Sequence, residues 1–242
     1  MPIAALLVLE DRLIDEIAVK ARRHETMIVA HRPRAWIDLN RAEWERDSHV
    51  EEEASAKVRP RSSAKLRAGL GLVPRRASGV QPIWNRRFSG AEIDARIAAD
   101  HRTYHAALAG LLDAARKRFG VAILLDIHSM PGLPGAEPPD VVFGDRFGRS
   151  AASRLTSAAE GAATRSSMRF ATNAPYAGGH ILETHGRPER AVHAIQIEID
   201  RNLYLDGAQE WLGEGTGQTA AMLQRVITSL SDAAVPGLLA AE

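Results

Sequence analysis

The apolar and polar positions of the chain follow two periods, one typical of helices and one typical of strands. Helical spacing predicts helices over 10–23, 90–118, 150–165 and 216–230. Shorter apolar or alternating runs predict strands at 26–30, 35–39, 121–128, 140–143, 168–172 and 194–201. The apolar residues 3–9 are compatible with either a short strand or the start of a helix. Because helices alternate with buried strands, we expect an α/β fold with one mostly parallel sheet and helices on both faces, in a single domain over 1–242.

The predicted strand that begins at Val121 carries the clearest chemistry. An unbroken apolar run leads into Asp126, then His128, and ends at a Pro-Gly turn. Ligands of open α/β sheets bind beyond the carboxyl ends of the strands, which is where His128 is expected. Asp126 lies two residues earlier, so its side chain points to the same side of the strand. We expect Asp126 to orient the imidazole, either directly or through the neighbouring backbone.

The helix predicted over 90–118 begins with a recognisable cap and contains two histidines. Ser89 is followed by Glu92 at the spacing of a capping box. His101 and His105 lie four residues apart, a spacing that can chelate a metal ion, but no Glu or third His accompanies them nearby. We interpret them as exposed histidines on the helix surface.

Residues 42–88 show no clear period, and their charges are segregated. Seven basic residues fall between Lys57 and Arg76 with no acid among them. This cationic stretch is either a solvated face or an attraction for an anionic substrate. Binding of nucleic acid is disfavoured, because Trp84 is the one tryptophan nearby and stacking platforms need aromatic side chains.

Composition narrows the chemistry that the chain can perform. Its 31 basic and 30 acidic residues nearly cancel, so no overall field favours nucleic acid or a membrane surface. The chain has no cysteine, which excludes disulfides, a thiolate nucleophile and cysteine-ligated zinc. Any metal site must therefore use His, Asp and Glu. The apolar start, 1–9, is too short to span a membrane and lacks the layout of a signal peptide, so a cytoplasmic location is the default.

Several motifs, taken together and in order, resemble the N-formylglutamate amidohydrolase family. They cover about residues 9–206 and comprise RAWIDLNR at 34–41, RAGLGLVPR at 67–75, LDIHSMP at 125–131, DVVFGDR at 140–146, PYAGGH at 175–180 and HAIQIEIDR at 193–201. The resemblance implies a fold like that of the zinc carboxypeptidases, a Zn²⁺ cofactor, and hydrolysis of N-formyl-L-glutamate or a related N-acyl amino acid, as in histidine degradation. The implied partner is thus a small anionic N-acyl amino acid.

The same resemblance assigns roles to individual residues. It makes His128 a metal ligand, Asp11 the carboxylate ligand with Glu10 as the neighbouring alternative, and Glu198 the acid that handles protons. The substrate-binding residues that it implies are Asn40 and Arg41 for the substrate carboxylate, Arg67 and Arg75 as weaker candidates for that duty, and His185 in a supporting or structural role.

Elementary chemistry agrees with this assignment in kind. An amide is a poor electrophile, and a zinc ion held by three protein ligands lowers the pKa of a bound water to about 7 and polarises the carbonyl. A carboxylate such as Glu198 is costly to bury unpaired, so it must face solvent or a polar pocket. Ser129 and His128 are a poor nucleophile–base pair, because the side chains of adjacent residues in an extended chain point apart.

The chain departs from the family pattern in one respect. Family members carry an upstream turn resembling Pro-His-Ser-Gly that should supply the first metal histidine, and this sequence begins after that point. Three explanations are open: the start of the sequence is set too late, the chain is truncated, or this member has lost the metal site. With Asp11 and His128 alone we expect weak zinc binding and slow turnover, unless His180 or His24 substitutes. The alternative function is a catalytically silent member that binds an acidic metabolite or a protein partner.

Overall fold

The computed structural model describes residues 3–52, 54, 63–77 and 82–234. The helices are α1 (Ile3–Leu9), α2 (Ile14–Ala21), α3 (Ala64–Arg67), α4 (Gly90–Arg96), a π-helical segment (Ile97–His101), α5 (Arg102–Phe119), α6 (Ser153–Thr164), α7 (His180–His185) and α8 (Thr216–Ala234), with short 3-10 turns at Pro188–Arg190 and Arg201–Leu203. The strands are β1 (Ala122–Met130), β2 (Val141–Gly144), β3 (Phe170–Thr172) and β4 (Val192–Asp200).

Backbone contacts divide the chain into two compact units. Unit 1 comprises Met1–Glu10 and Ile28–Gly110, and unit 2 comprises Asp11–Met27 and Leu111–Glu242. The expected organisation as one domain stays a prediction. No helix in the part of the chain described is long and apolar enough to cross a membrane.

Unit 2 contains a four-stranded sheet in the order β1-β4-β2-β3. The pairs β1–β4 and β2–β3 are parallel, and β2 runs antiparallel to β4. The predicted mixed α/β class and the mostly parallel sheet are therefore confirmed.

The two faces of this sheet differ sharply in polarity. Residues paired across neighbouring strands share a face, so Leu125 with Ile195 and Ile127 with Ile197 form one apolar surface. That surface belongs to the core, where helices α2, α6 and α8 supply the opposing apolar side chains. The opposite face carries Asp126 paired with Gln196 and His128 paired with Glu198. The period of two in the sequence thus separates the core from the polar face.

Unit 1 is built mainly from turns and helices around a smaller apolar cluster. Ile37, Leu72, Phe88, Ile93 and Ile97 are almost fully buried in it. The capping box predicted at the start of α4 is present: the Ser89 hydroxyl accepts from the backbone of Glu92, whose carboxylate accepts from the backbone of Ser89.

A buried arginine lies against the aromatic side chains of unit 1. The Arg96 guanidinium is 3.8 Å from the ring centre of Trp36 and 4.1 Å from that of Phe88, and it donates to the carbonyl of Trp36. Burial lowers the pKa of Arg96 from its usual value. The stack ties α4 to the turn that contains Trp36.

Two predicted strands are absent, and two helices, α3 and α7, were not predicted. Residues 26–30 and 35–39 are irregular or turn structure; the backbone of Trp36 donates to Pro33 and that of Asp38 donates to Leu72. Of the apolar side chains that suggested a strand at 35–39, Ile37 and Leu39 pack into the cluster around Ile37 and Ala35 packs into a separate cluster, without pairing to another strand. Helix α7 follows a glycine pair that gave no helical period. Of the cationic stretch between Lys57 and Arg76, residues 57–62 lie outside the described residues.

Gly144 in β2 is packed so closely that a substitution there tests the structure around the sheet. A Cβ added to Gly144 would lie 2.7 Å from the backbone of Ala177 and 2.8 Å from that of Gly178. We expect Gly144→Ala to lower the free energy of unfolding by about 1–3 kcal/mol, because backbone cannot move aside as a flexible side chain can. Urea denaturation measures this.

Gly110 in α5 provides the matched control, since no described atom beyond its chain neighbours and the backbone of its own helix lies within 4 Å of the Cβ position there. Gly110→Ala should raise stability by about 0.5–1 kcal/mol, as expected for glycine replaced within a helix. Equal stability of Gly144→Ala and the parent would contradict the proposed clash.

Candidate active site

The imidazole of His128 lies between two carboxylates of unit 2. Its Nδ1 is 3.0 Å from Oδ2 of Asp11, and its Nε2 is 3.0 Å from Oδ2 of Asp126. The predicted direct contact between Asp126 and His128 is therefore present. Asp11 and His128, which lie far apart in the sequence, are brought together as the predicted ligand pair requires.

Asp11 is held at the carboxyl end of β1 by two contacts with Ser129 and through its neighbour Arg12. Its Oδ1 accepts from the backbone N–H of Ser129 at 2.9 Å and lies 3.3 Å from the Ser129 hydroxyl. The next residue, Arg12, is held through its carbonyl, which accepts from the hydroxyl of the buried Tyr204 at 2.7 Å. Ser129 also accepts from Nε of Arg201 at 3.0 Å. The serine hydroxyl thus orders the site through Asp11 and Arg201.

Glu198 lies on the same face of the sheet as His128. The two residues are direct partners in the parallel ladder between β1 and β4. Gln196, which the sequence analysis did not select, donates from Nε2 to Oε1 of Glu198 at 2.7 Å. The half-buried Glu198 therefore faces polar neighbours, which offset the free-energy cost of partly burying an acid in this strand.

Burial and charge shift the pKa values around this face. Burial acts to lower the pKa of His128, yet Asp126 and Asp11 together raise it well above its usual value. Burial, with a smaller contribution from Glu198, raises the pKa of Tyr176. Burial also raises the pKa of Tyr204 to about 12, so its hydroxyl stays protonated and keeps donating to Arg12.

The donor set at His128 fits a zinc ion. Imidazole and carboxylate are ordinary zinc ligands. A histidine that binds metal through one nitrogen usually donates the other N–H to a carboxylate, as Nε2 of His128 can to Asp126. The 3.0 Å between Nδ1 and Asp11 is close to the separation of about 3.3 Å between two ligands of one tetrahedral zinc. Asp11 and His128 would be the ligands, with Asp126 orienting the ring.

His185 ends helix α7 and is buried. Burial lowers its pKa to about 4, and the nearby His180 and Arg187 act in the same direction. His185 is therefore neutral at pH 7. Its predicted support of the site, structural or substrate-binding, stays a prediction.

Asn40 and Arg41 form a turn in unit 1. The guanidinium of Arg41 donates to the carbonyls of Leu70 at 2.8 Å and Asn40 at 2.6 Å, and one Nη lies 3.7 Å from Asp38. The backbone N–H of Asn40 donates to the same Asp38 carboxylate. These contacts hold the guanidinium in one orientation; carboxylate recognition by the pair stays a prediction.

The two weaker candidates in unit 1 differ in environment. Arg67 is exposed at the end of α3. Arg75 lies 3.1 Å through Nε from the buried carboxylate of Asp47, an ion pair that gives it a structural role. Substrate binding by Arg67 and Arg75 likewise stays a prediction.

The interpretation of His101 and His105 as exposed helix residues is wrong. His101 is only 3% exposed and its Nε2 lies 2.8 Å from the carbonyl of Arg41. His105 is partly buried, with Nε2 at 3.0 Å from the carbonyl of Leu39. The sequence period could not show that a turn 60 residues upstream covers this side of the helix.

Comparison with known proteins places these motifs in a family context. The sequence model of the N-formylglutamate amidohydrolase family matches residues 2–205. An N-formylglutamate deformylase of Pseudomonas putida is 31% identical over 157 residues, which cover 61% of this chain and 59% of that protein. One from Pseudomonas aeruginosa is 32% identical over 146 residues, covering 57% and 55%. The aligned part is thus less than two thirds of the length of these relatives.

Two solved structures resemble the fold. An N-formylglutamate amidohydrolase from Ralstonia eutropha JMP134 superposes with a TM-score of 0.84 at 29% identity, over 96% of this chain and 85% of that one. A gene product of Agrobacterium tumefaciens superposes with a TM-score of 0.56 at 19% identity, over 83% and 66%. The second likeness concerns the fold alone.

The lowered pKa of His185 predicts a pH dependence of stability. The usual pKa of histidine is 6.5, and the pKa of His185 in the folded protein is about 4. Between these two pH values the unfolded chain is protonated at this residue and the folded protein is not. Stability should therefore fall as the pH drops from 6.5 towards 4. In His185→Gln this contribution is lost, and the fall over that range should be smaller.

Urea denaturation at pH 7 and pH 5 measures the difference, with exposed His24→Gln as the control for removing any one histidine. The same pH slope in His185→Gln and the parent would refute the assignment.

Proposed function

Because the chain belongs to the N-formylglutamate amidohydrolase family, we propose that it hydrolyses N-formyl-L-glutamate or a related N-acyl amino acid. The products are formate, or another carboxylate, and the free amino acid. The observation that carries the proposal is that, in unit 2, Asp11 contacts His128 and Glu198 is the strand partner of His128. Imidazole and carboxylates are the groups that a metal-dependent amidohydrolase uses as metal ligands and as its base.

Zn²⁺ is the proposed cofactor, and the zinc carboxypeptidase-like fold is proposed with it. Asp11 and His128 would hold the ion, while Asp126 fixes the ring of His128. When bound, the metal supplies Lewis acidity and lowers the pKa of water to about 7. Ser129 and Tyr204 keep Asp11 and its neighbour Arg12 in place, so the ligand geometry is prepared before substrate arrives.

Glu198 is the proposed proton carrier. Its carboxylate takes the proton from the attacking water and delivers it to the nitrogen of the leaving amino acid, since an amine leaves far better than its anion. Gln196 holds one oxygen of Glu198 by a hydrogen bond. That bond limits rotation of the carboxylate.

Asn40 and Arg41 are the proposed residues for a carboxylate of the substrate. Arginine presents a planar fork that matches a carboxylate with two parallel hydrogen bonds. The carbonyls of Leu70 and Asn40 already fix the plane of the Arg41 guanidinium, so little rotamer entropy remains to be lost on binding. Arg67, Arg75 and His185 are proposed as secondary contributors.

A second function is a catalytically silent member that binds an acidic metabolite or a protein partner. The observation that favours it is that both ring nitrogens of His128 contact carboxylates, which raise its pKa. An imidazolium in this position is a stable ion-pair centre. It would leave no lone pair for a metal.

Formate release from N-formyl amino acids, with and without added zinc, separates the two functions. We expect release that depends on zinc and is fastest with an acidic side chain. No release of formate from any N-formyl amino acid, with or without added zinc, would overturn the enzymatic function and leave the silent member.

Glu198→Gln should retain metal and lose turnover by about 10²–10⁴-fold, the usual contribution of a general acid–base group. The amide keeps the size of the side chain but cannot accept the proton. Exposed Glu189→Gln in the same unit is the matched control and should turn over as the parent does. Unchanged kcat in a metal-loaded Glu198→Gln would remove Glu198 from the mechanism.

Arg41→Ala should lower kcat/KM for N-formylglutamate by about 10–100-fold, the range expected for the loss of a hydrogen bond to a charged group. Arg41→Lys should recover only part of this, because lysine lacks the fork. A matched pair of substrates, an N-formyl amino acid and its amide, serves as the control. Losses of equal size for both substrates would exclude recognition of a carboxylate by Arg41.

A further inference from the structure

We propose that His101 and His105 form a second metal site, which binds a divalent transition-metal ion through the Nδ1 atoms of both rings. The site lies in unit 1 and shares no residue with the Asp11–His128 pair of unit 2. It does not depend on the proposed hydrolase function. Imidazole pairs suit Zn²⁺, Ni²⁺ and Cu²⁺.

The hydrogen bonds of the two rings decide which nitrogen can bind metal. A carbonyl oxygen only accepts, so the Nε2 of His101 must donate to Arg41 and the Nε2 of His105 must donate to Leu39. A neutral imidazole has one N–H, and the lone pair of each ring is therefore on Nδ1. A backbone carbonyl on the opposite nitrogen is the usual outer partner of a metal-bound histidine.

The two rings are also close enough to share one ion. Their centres are 4.4 Å apart with 41° between the ring planes, and a ring nitrogen of one lies within 4.8 Å of a ring nitrogen of the other. Placing one zinc ion at about 2.0–2.1 Å from both nitrogens requires rotation of the side chains from this arrangement.

The helix geometry brings the histidines into this position. His101 ends the π-helical segment and His105 lies in the first turn and a half of α5. Segments of π-helix occur often at functional sites, because the wider turn shifts side chains relative to a regular helix. Here the segment keeps Ile93 and Ile97 in the apolar cluster while His101 faces the turn at Arg41.

An ionised carboxylate, paired with an arginine, lies beside the rings. The Glu43 carboxylate lies 4.0 Å from Nδ1 of His101, and Arg102 binds the same carboxylate at 2.7 and 2.9 Å. The Arg102 hydrogen bonds lower the pKa of Glu43, so the carboxylate is ionised at neutral pH. Glu43 thus places a negative charge beside the site.

Metal titration of the chain and three variants tests the site. In His128→Asn, which removes the histidine of the unit 2 pair, we expect one equivalent of Ni²⁺ or Zn²⁺ to remain bound. In His128→Asn with His101→Gln, or with His105→Gln, the affinity should fall at least about 100-fold, since loss of an outer partner alone costs 10–100-fold. Glutamine can still donate to the carbonyls, which protects the fold, and circular dichroism verifies it.

Two further measurements on the parent protein test the site without relying on the variants. Long-range ¹H–¹⁵N spectra of the parent should show both rings as Nε2–H tautomers, with the two Nδ1 resonances shifting on addition of Zn²⁺. The affinities should follow Cu²⁺ above Ni²⁺ and Zn²⁺, and Co²⁺ below them. Unshifted Nδ1 resonances in zinc-saturated protein, or full metal affinity when His101→Gln or His105→Gln is added to a folded His128→Asn protein, would overturn the proposal.

Discussion

The candidate active site depends on the parallel pairing of β1 with β4 in one register. That pairing sets His128 beside Glu198 and Asp126 beside Gln196 on the polar face, and packs isoleucines and leucines on the other. A slip of one residue would exchange the faces, burying the charged groups in the core. Burial of the apolar face therefore enforces the register, and the register aligns the chemistry. The energy that folds unit 2 and the geometry of its site have the same origin.

Asp11 adds what the sheet cannot supply. It reaches His128 from the loop before α2, and it is held by the backbone of Ser129 and by the bond from Tyr204 to its neighbour Arg12. The core packing of α2 against α8 brings this loop to the strand end. Contacts between residues so distant in sequence arise from the packed fold, and periodicity alone cannot show them. The resemblance to the family motif was the signal that selected Asp11.

The elements that the sequence predicted well are those whose burial has a regular period. The capping box at Ser89, strand β1 with Asp126 and His128 on one side, and the alternating strand that carries Glu198 follow from local patterns alone. The predicted strand at 35–39 failed, since Ile37 is buried by helices and turns that offer no strand to pair with. His101 was misjudged for the same reason: its burial comes from a turn far upstream. Gln196 was overlooked although its spacing to Glu198 indicates a shared face.

The π-helical segment has a consequence for how this helix tolerates change in length. One residue of a regular α-helix turns the chain by about 100°. Deleting a single residue within 97–100 would convert the wide turn into regular helix. Either Ile93 would then leave the apolar cluster, or His101 and His105 would rotate away from the carbonyls of Arg41 and Leu39. A substitution there can be absorbed locally, whereas a one-residue deletion forces a choice between the core and the histidine pair.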